Sequence, residues 1–194
     1  TEFLKELVSN YLYLAHQKEG LEPVSMLPED MTVQDQESDS FLKYYSKDQK
    51  RPKEKKTRAF QIRRKKKDGN HLHVHESVVS VKEVLKRSRE LGVSMTVFLT
   101  AVFLKAIHEE MSKMQEKKPI VLMVPVNLRK FFPSTSMLNF FNWIEPGYDF
   151  SKRDRSFEEV LRYTKDFFEE QLTKEKMSAH INDLLALELH PILR

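Results

Sequence analysis

Apolar residues recur at helical spacing from the first positions of the chain. Phe3, Leu4, Leu7, Val8, Tyr11, Leu12 and Leu14 are interleaved with Lys5, Glu6 and Asn10. A stripe at i, i+3, i+4 and i+7 marks an amphipathic helix, so the spacing predicts a helix over 3–15. The stripe opens with no N-cap and no preceding turn, which predicts that further sequence lies upstream of Thr1. From Leu21 to Lys56 the periodicity fails, and Pro23, Pro28, Asp30, Asp35, Glu37, Asp39, Asp48 and Pro52 read as a long loop. Its apolar cluster, Phe41, Leu42, Tyr44 and Tyr45, fits a short docked helical turn. Two strand-like runs follow, Arg58 to Arg63 and His71 to Val79, joined around Asp68-Gly69-Asn70. Asp-Gly between alternating runs is a hairpin signal.

Beyond residue 80 the punctuation is clearer. Ser80-Val81-Lys82-Glu83 has the form of a capping box, and its helix should end near Leu91, with Gly92 suited to the left-handed position after it. Ser94 is placed to cap a second helix, whose first half, Met95 to Ile107, is apolar on nearly every side and so predicts deep burial. Ile120 to Val126 is a continuous apolar run, the pattern of a central strand covered on both faces. Leu138 to Ile144 reads as another strand. A second capping box, Ser156-Phe157-Glu158-Glu159, opens a helix with Val160, Leu161, Thr164, Phe167, Phe168 and Leu172 on one face. An apolar pattern is still running at Pro191-Ile192-Leu193-Arg194, which predicts that the chain is the middle part of a larger protein. The fold class expected is α/β, with helices packed on a mixed β-sheet.

Composition changes this picture little. The 194 residues suffice for one domain or most of one, and 40% hydrophobic with 32% charged residues is ordinary for a globular protein. The absence of cysteine excludes a disulfide framework, thiol catalysis and Cys-based metal sites. Four glycines are too few for a glycine-rich phosphate loop. The acidic N-terminus is not a secretory signal, and no stretch approaches the ~20 apolar residues of a membrane span. Those features make a cytoplasmic protein without a membrane partner the expectation.

The net charge of +4 is mild but uneven. Lys50 to Lys67 holds eleven Lys or Arg and one acid, Glu54. Such a run suits nucleic acid or an acidic protein, or serves only to keep an edge hairpin soluble. Phe60 is its one aromatic, a poor stacking platform, which argues against a nucleic-acid partner. His71, His73 and His75 share one face of a strand, but the one further strong ligand type nearby, Glu76, points the other way, and no metal is expected. His180 and Asp183, three apart in a helix, meet as any such neighbours do. Arg129 stands out more. It ends an apolar strand, where a guanidinium must find a carboxylate or escape to solvent.

The run Val124-Pro125-Val126-Asn127-Leu128-Arg129, then Phe131-Phe132-Pro133-Ser134, then Asn139-Phe140-Phe141, resembles the bacterial alcohol acetyltransferase-type members of the chloramphenicol-acetyltransferase-like superfamily. Condensation domains and BAHD acyltransferases are more distant relatives. The resemblance extends through Ser94-Met95-Thr96-Val97-Phe98-Leu99-Thr100-Ala101 and covers nearly the whole chain. It implies a partial sandwich of that superfamily, in which residues 1–56 end the N-terminal half with its connecting loop and 57–194 form an incomplete C-terminal subdomain. It also implies transfer of an acyl group, acetyl foremost, from acetyl-CoA or another acyl-CoA to a small-molecule alcohol or amine, with no metal. In such proteins a His-x-x-x-Asp-Gly motif supplies the general base, and its aspartate pairs with an arginine at a strand end. By motif, Arg129 matches that arginine, and Asn139 matches an asparagine near the reaction centre. Asn127, Ser134 and Phe140 become candidates for the substrate tunnel wall. None of the seven histidines is followed by x-x-x-Asp-Gly, so the resemblance places the base upstream of Thr1 and predicts that this chain alone is inactive. The oligomeric state and the identity of the acceptor are not implied.

Overall fold

The computed structural model describes residues 2–19, 32–46, 57–62 and 76–189. It is an α/β arrangement of helices and small sheets. The chain runs through α1 (Glu2–Ala15), α2 (Val33–Glu37), α3 (Ser40–Lys43), α4 (Val81–Glu90), α5 (Met95–Glu109), β1 (Ile120–Val121), β2 (Val124–Asn127), β3 (Phe141–Ile144), β4 (Gly147–Tyr148), α6 (Phe157–Gln171) and α7 (Lys174–Glu188). It divides into two compact units. One comprises Thr1–Arg51, Asn127–Asn142 and Lys174–Arg194; the other comprises Pro52–Val126 and Trp143–Thr173.

In the second unit α4 and α5 meet at a 90° bend. The corner forms where the sequence predicts it, but only half of the expected capping box is present, because Glu83 returns no side-chain bond to the Ser80 amide. Ser80 Oγ accepts from the Glu83 amide at 3.4 Å, Gly92 takes φ 66°, and Ser94 Oγ accepts from the Val97 amide at 3.2 Å. Val97, Thr100, Ala101 and Leu104 of α5 are buried, as are Val160, Leu161, Thr164 and Phe168 of α6, and these two helices make the core of the unit. Phe103 nevertheless remains 60% exposed, so α5 is buried on one side rather than all round. Among the described residues no single helix is long and apolar enough to cross a membrane.

The strands correct the sequence reading. The run 120–126 is two short strands separated at Leu122 and Met123, not one central strand. Its side chains alternate between buried Ile120 and Val126 and exposed Val121 and Pro125, with Met123 70% exposed. An apolar run here is covered on one face only. β1 pairs antiparallel with β4, setting Ile120 opposite Tyr148 and Val121 opposite Gly147. A Cβ at Gly147 would lie 3.1 Å from Val121 Cγ2, so a larger residue there would make the exposed Val121 side chain shift slightly. β2 pairs with β3, which begins at Phe141 rather than Leu138. No strand forms at 57–62 or 76–80, where Phe60 N–H donates to Pro119 O at 2.9 Å; the rest of the expected hairpin lies outside the described residues.

The second capping box also fails. Ser156 makes no side-chain cap; its amide donates to Asp154 Oδ1 at 2.6 Å, so the aspartate two residues earlier holds the start of α6. A capping box does form where a loop was expected. Thr32 Oγ1 accepts from the Asp35 amide at 3.1 Å while Asp35 Oδ2 accepts from the Thr32 amide at 3.1 Å, closing α2. With no apolar stripe, α2 carries no periodic signal.

In the first unit α1 is the helix the spacing predicts, yet Leu4, Leu7, Val8, Tyr11, Leu12 and Leu14 are all exposed. α7 buries Met177, Ile181, Asn182 and Leu185, and packs on α3. Asn182 Oδ1 accepts from the Ser46 amide at 2.9 Å, which fixes the end of the short docked turn foreseen at Phe41–Tyr45.

Candidate functional site

The strand-end arginine and every residue grouped with it fall in the first unit, on one corner of chain. β2 ends at Asn127, whose Oδ1 accepts from the Arg129 amide at 3.1 Å and caps a 3-10 turn, Leu128–Lys130. Leu128 is fully buried, and its amide donates to Phe140 O at 3.2 Å. That bond closes the base of a loop running from 129 to 139.

Arg129 solves its placement in a third way, neither by a carboxylate nor by escape to water. The half-buried guanidinium donates from Nη2 to Ser136 O at 2.7 Å and to Leu138 O at 2.8 Å. These are short, charge-assisted bonds, which carry about twice the strength of neutral ones. Its Cζ lies 6.0 Å from the centre of the Phe140 ring, within reach of the negative face. One side chain thereby pins the far side of the loop to the strand end. Among the described residues no carboxylate lies within ion-pair distance of it.

Phe140 is the apolar centre of this corner, 1% exposed. Phe41 meets it edge-on at 5.1 Å, Tyr44 stacks at 6.0 Å, and Phe132 tilts against it at 6.5 Å. Offset and edge-on rings of this kind gain ~0.5–1.5 kcal/mol per pair beyond burial. Ser134 is tied back as well: its hydroxyl shares a 2.6 Å bond with Ser40 Oγ and accepts from the Ser136 amide at 3.2 Å. Gln36 O accepts from the Met137 amide at 2.8 Å and from Ser136 Oγ at 3.2 Å, linking the loop to the C-terminal turn of α2. Asn139 differs from the rest. It is exposed and makes no hydrogen bond among the described residues. Arg129, Asn127, Ser134 and Phe140 thus form a braced loop, and Asn139 is the polar side chain it presents outward.

Sequence reasoning passed over a second polar cluster, in the other unit. His108 sits on the buried face of α5, four residues after Leu104 and seven after Ala101, a spacing that was legible as core. It is 8% exposed and stacks flat on Phe150, ring centres 3.9 Å apart and planes 11° apart. Its Nε2 lies 3.3 Å from Glu116 Oε1, while Glu116 Oε2 accepts from Arg155 Nη2 at 2.8 Å. Burial pulls the His108 pKa below its ordinary value; Glu116 opposes that, and Lys105 and Arg155 reinforce it. Tyr148, fully buried beside Phe150, donates its hydroxyl to Asp154 O, and burial raises its pKa. At the end of α1, His16 Nδ1 lies 3.0 Å from Glu19 Oε1 on the surface. His180 and Asp183 lie in α7. His71, His73 and His75, with most of Lys50–Lys67, lie outside the described residues.

Residues 21–172 match the model of the alcohol acetyltransferase family. The chain belongs to that family, and so to the acyltransferases. No curated protein and no solved structure matches it significantly.

Proposed function

We propose that this chain serves an acyl-CoA-dependent alcohol acyltransferase, with acetyl-CoA as the foremost donor and an alcohol hydroxyl as the foremost acceptor. The observation that carries the reading is the family match over residues 21–172, which spans the whole Arg129 corner. In this reaction the acceptor oxygen attacks the thioester carbonyl, a base takes the hydroxyl proton, and the C–S bond breaks to release the thiol of coenzyme A. An imidazole is matched to that proton transfer near neutral pH.

The base is assigned to a histidine other than the seven present here, because none of them has the His-x-x-x-Asp-Gly setting. Two features of the corner support this. Arg129 spends one nitrogen on backbone carbonyls and meets no carboxylate among the described residues, which leaves guanidinium donors for an incoming aspartate. Asn139, exposed beside it in sequence to the buried Phe140, is available to a substrate oxygen. In this assignment Phe140 supports the tunnel wall from beneath, Ser134 and Asn127 hold its backbone, and no residue of this chain is the base.

The test is release of thiol from acetyl-CoA against a panel of alcohols, run on the 194-residue chain and on the complete gene product. Alcohol-dependent release is expected from the complete product. The chain alone should be slower by at least the ~10²–10⁴-fold that a missing general base costs. Turnover by the chain alone that vanishes in His16→Ala or His108→Ala would place the base here and overturn the assignment.

A further inference from the structure

We propose that the second unit carries a binding groove for a single-chain amphiphilic anion, a medium-chain fatty carboxylate. The groove has a volume of about 580 Å³, a size typical of small-molecule clefts. It opens where the α4–α5 corner faces the C-terminal half of α6. Its floor is apolar: Val97 of α5 and Phe168 of α6 are buried, and Leu172 lines it as well.

The rim decides the ligand class. Arg89, from the last turn of α4, and Lys165, from α6, both line the groove. Neither makes an ion pair or a side-chain hydrogen bond among the described residues. Two nearby arginines are already paired, Arg87 with Glu90 at 3.2 Å and Arg162 with Glu159 at 2.7 Å and Asp166 at 3.2 Å, so of these four side chains Arg89 and Lys165 are the ones left to meet a ligand. Glu169 lines the groove too, one helical turn from Lys165, and yet does not pair with it. Two unspent cations against one carboxylate leave the rim net positive. An apolar floor beneath such a rim takes a ligand with a hydrocarbon tail and a negative head. The tail gains by burial and the head by charge-assisted hydrogen bonds. A neutral alcohol of equal length gains only the first, and an alkylammonium meets repulsion. The inference rests on the groove alone and is independent of the acyl-transfer reading.

Titration of the isotope-labelled full chain with decanoate, followed by amide NMR, tests it. Saturable shifts are expected at Val93, Ser94 and Phe168, with decanol and decyltrimethylammonium binding at least about tenfold more weakly, the ratio that one lost charge-assisted bond produces. Arg89→Gln with Lys165→Gln should abolish that preference for the carboxylate without changing the melting temperature. Glu169→Gln should tighten decanoate. Leu172→Trp, which adds bulk to the groove lining, should weaken decanoate and decanol alike. The proposal is overturned by the absence of saturable decanoate binding, by equal affinity for decanoate and decanol, or by binding indifferent to Arg89, Lys165 and Leu172.

Discussion

Arg129 has a structural task within this chain whatever else it binds. Its two bonds run to backbone carbonyls of the loop it closes, at 2.7 and 2.8 Å. Removing the guanidinium leaves the part-buried Ser136 carbonyl without a donor, while the Leu138 carbonyl sits at an exposed residue and can turn to water, so Arg129→Ala should destabilise the chain by about 1–2 kcal/mol. Arg129→Lys should recover less than half, because an ammonium cannot span Ser136 and Leu138 as a planar fork does. Denaturant midpoints of the three forms check this, and a midpoint unchanged in Arg129→Ala would show the loop to be held by Phe140 and Ser134 instead. The sequence placed Arg129 at a strand end but allowed it only an acid or water. Backbone carbonyls were illegible as partners because any residue supplies them; only the closure of the loop between Leu128 and Phe140 brings them within reach.

At the scale of elements, capping decides where helices begin, and its sequence signals are not equivalent. Ser94 and Ser156 each stand immediately before a helix. Ser94 accepts the Val97 amide, so Ser94→Ala should cost about 1 kcal/mol. Ser156 makes no side-chain cap, and its hydroxyl bonds only the exposed Asp154 carboxylate, so Ser156→Ala should cost less than Ser94→Ala, about 0.5 kcal/mol. Asp154→Ala should destabilise more than Ser156→Ala, since its carboxylate holds the Ser156 amide and its pKa is lowered by that bond. Thermal melts of the three variants check the order; equal losses at Ser94 and Ser156 would contradict it. Helices α4 and α5 were readable from punctuation at Ser80, Gly92 and Ser94 that the structure forms, whereas α1 and α6 were readable from the period of their apolar residues alone. The strands were not, for a physical reason. Ile120 to Val126 is apolar at every position, and an unbroken apolar run does not reveal which of its faces is covered. The exposed stripe of α1 is the same lesson reversed: the pattern gives the helix and says nothing of what lies against it.

For the whole molecule, the buried imidazole of His108 couples stability to pH in a range where few other groups act. Its folded-state pKa is lowered from the ordinary 6.5, first by burial, with Lys105 and Arg155 adding to the effect and Glu116 opposing it. Between the lowered value and 6.5 the unfolded chain therefore binds a proton that the folded chain does not. Stability rises with pH wherever the unfolded state holds more protons, so the contribution is complete above 6.5 and is lost as pH falls below it. Asp149 and Asp154 act separately. In Asp149, burial works upward but the Ser151 hydroxyl and Lys152 outweigh it; in Asp154 the Ser156 amide leads; both carboxyls end below their ordinary 3.8. Their share is present above 3.8 and is lost only in stronger acid. Melting temperatures taken downward from neutral pH should thus fall first through the imidazole range and again in the carboxylate range. His108→Phe keeps the stack on Phe150 and removes the titration. It should flatten the first fall and leave the second. The same loss between neutral pH and pH 5.5 in both proteins would show that His108 is not the group responsible.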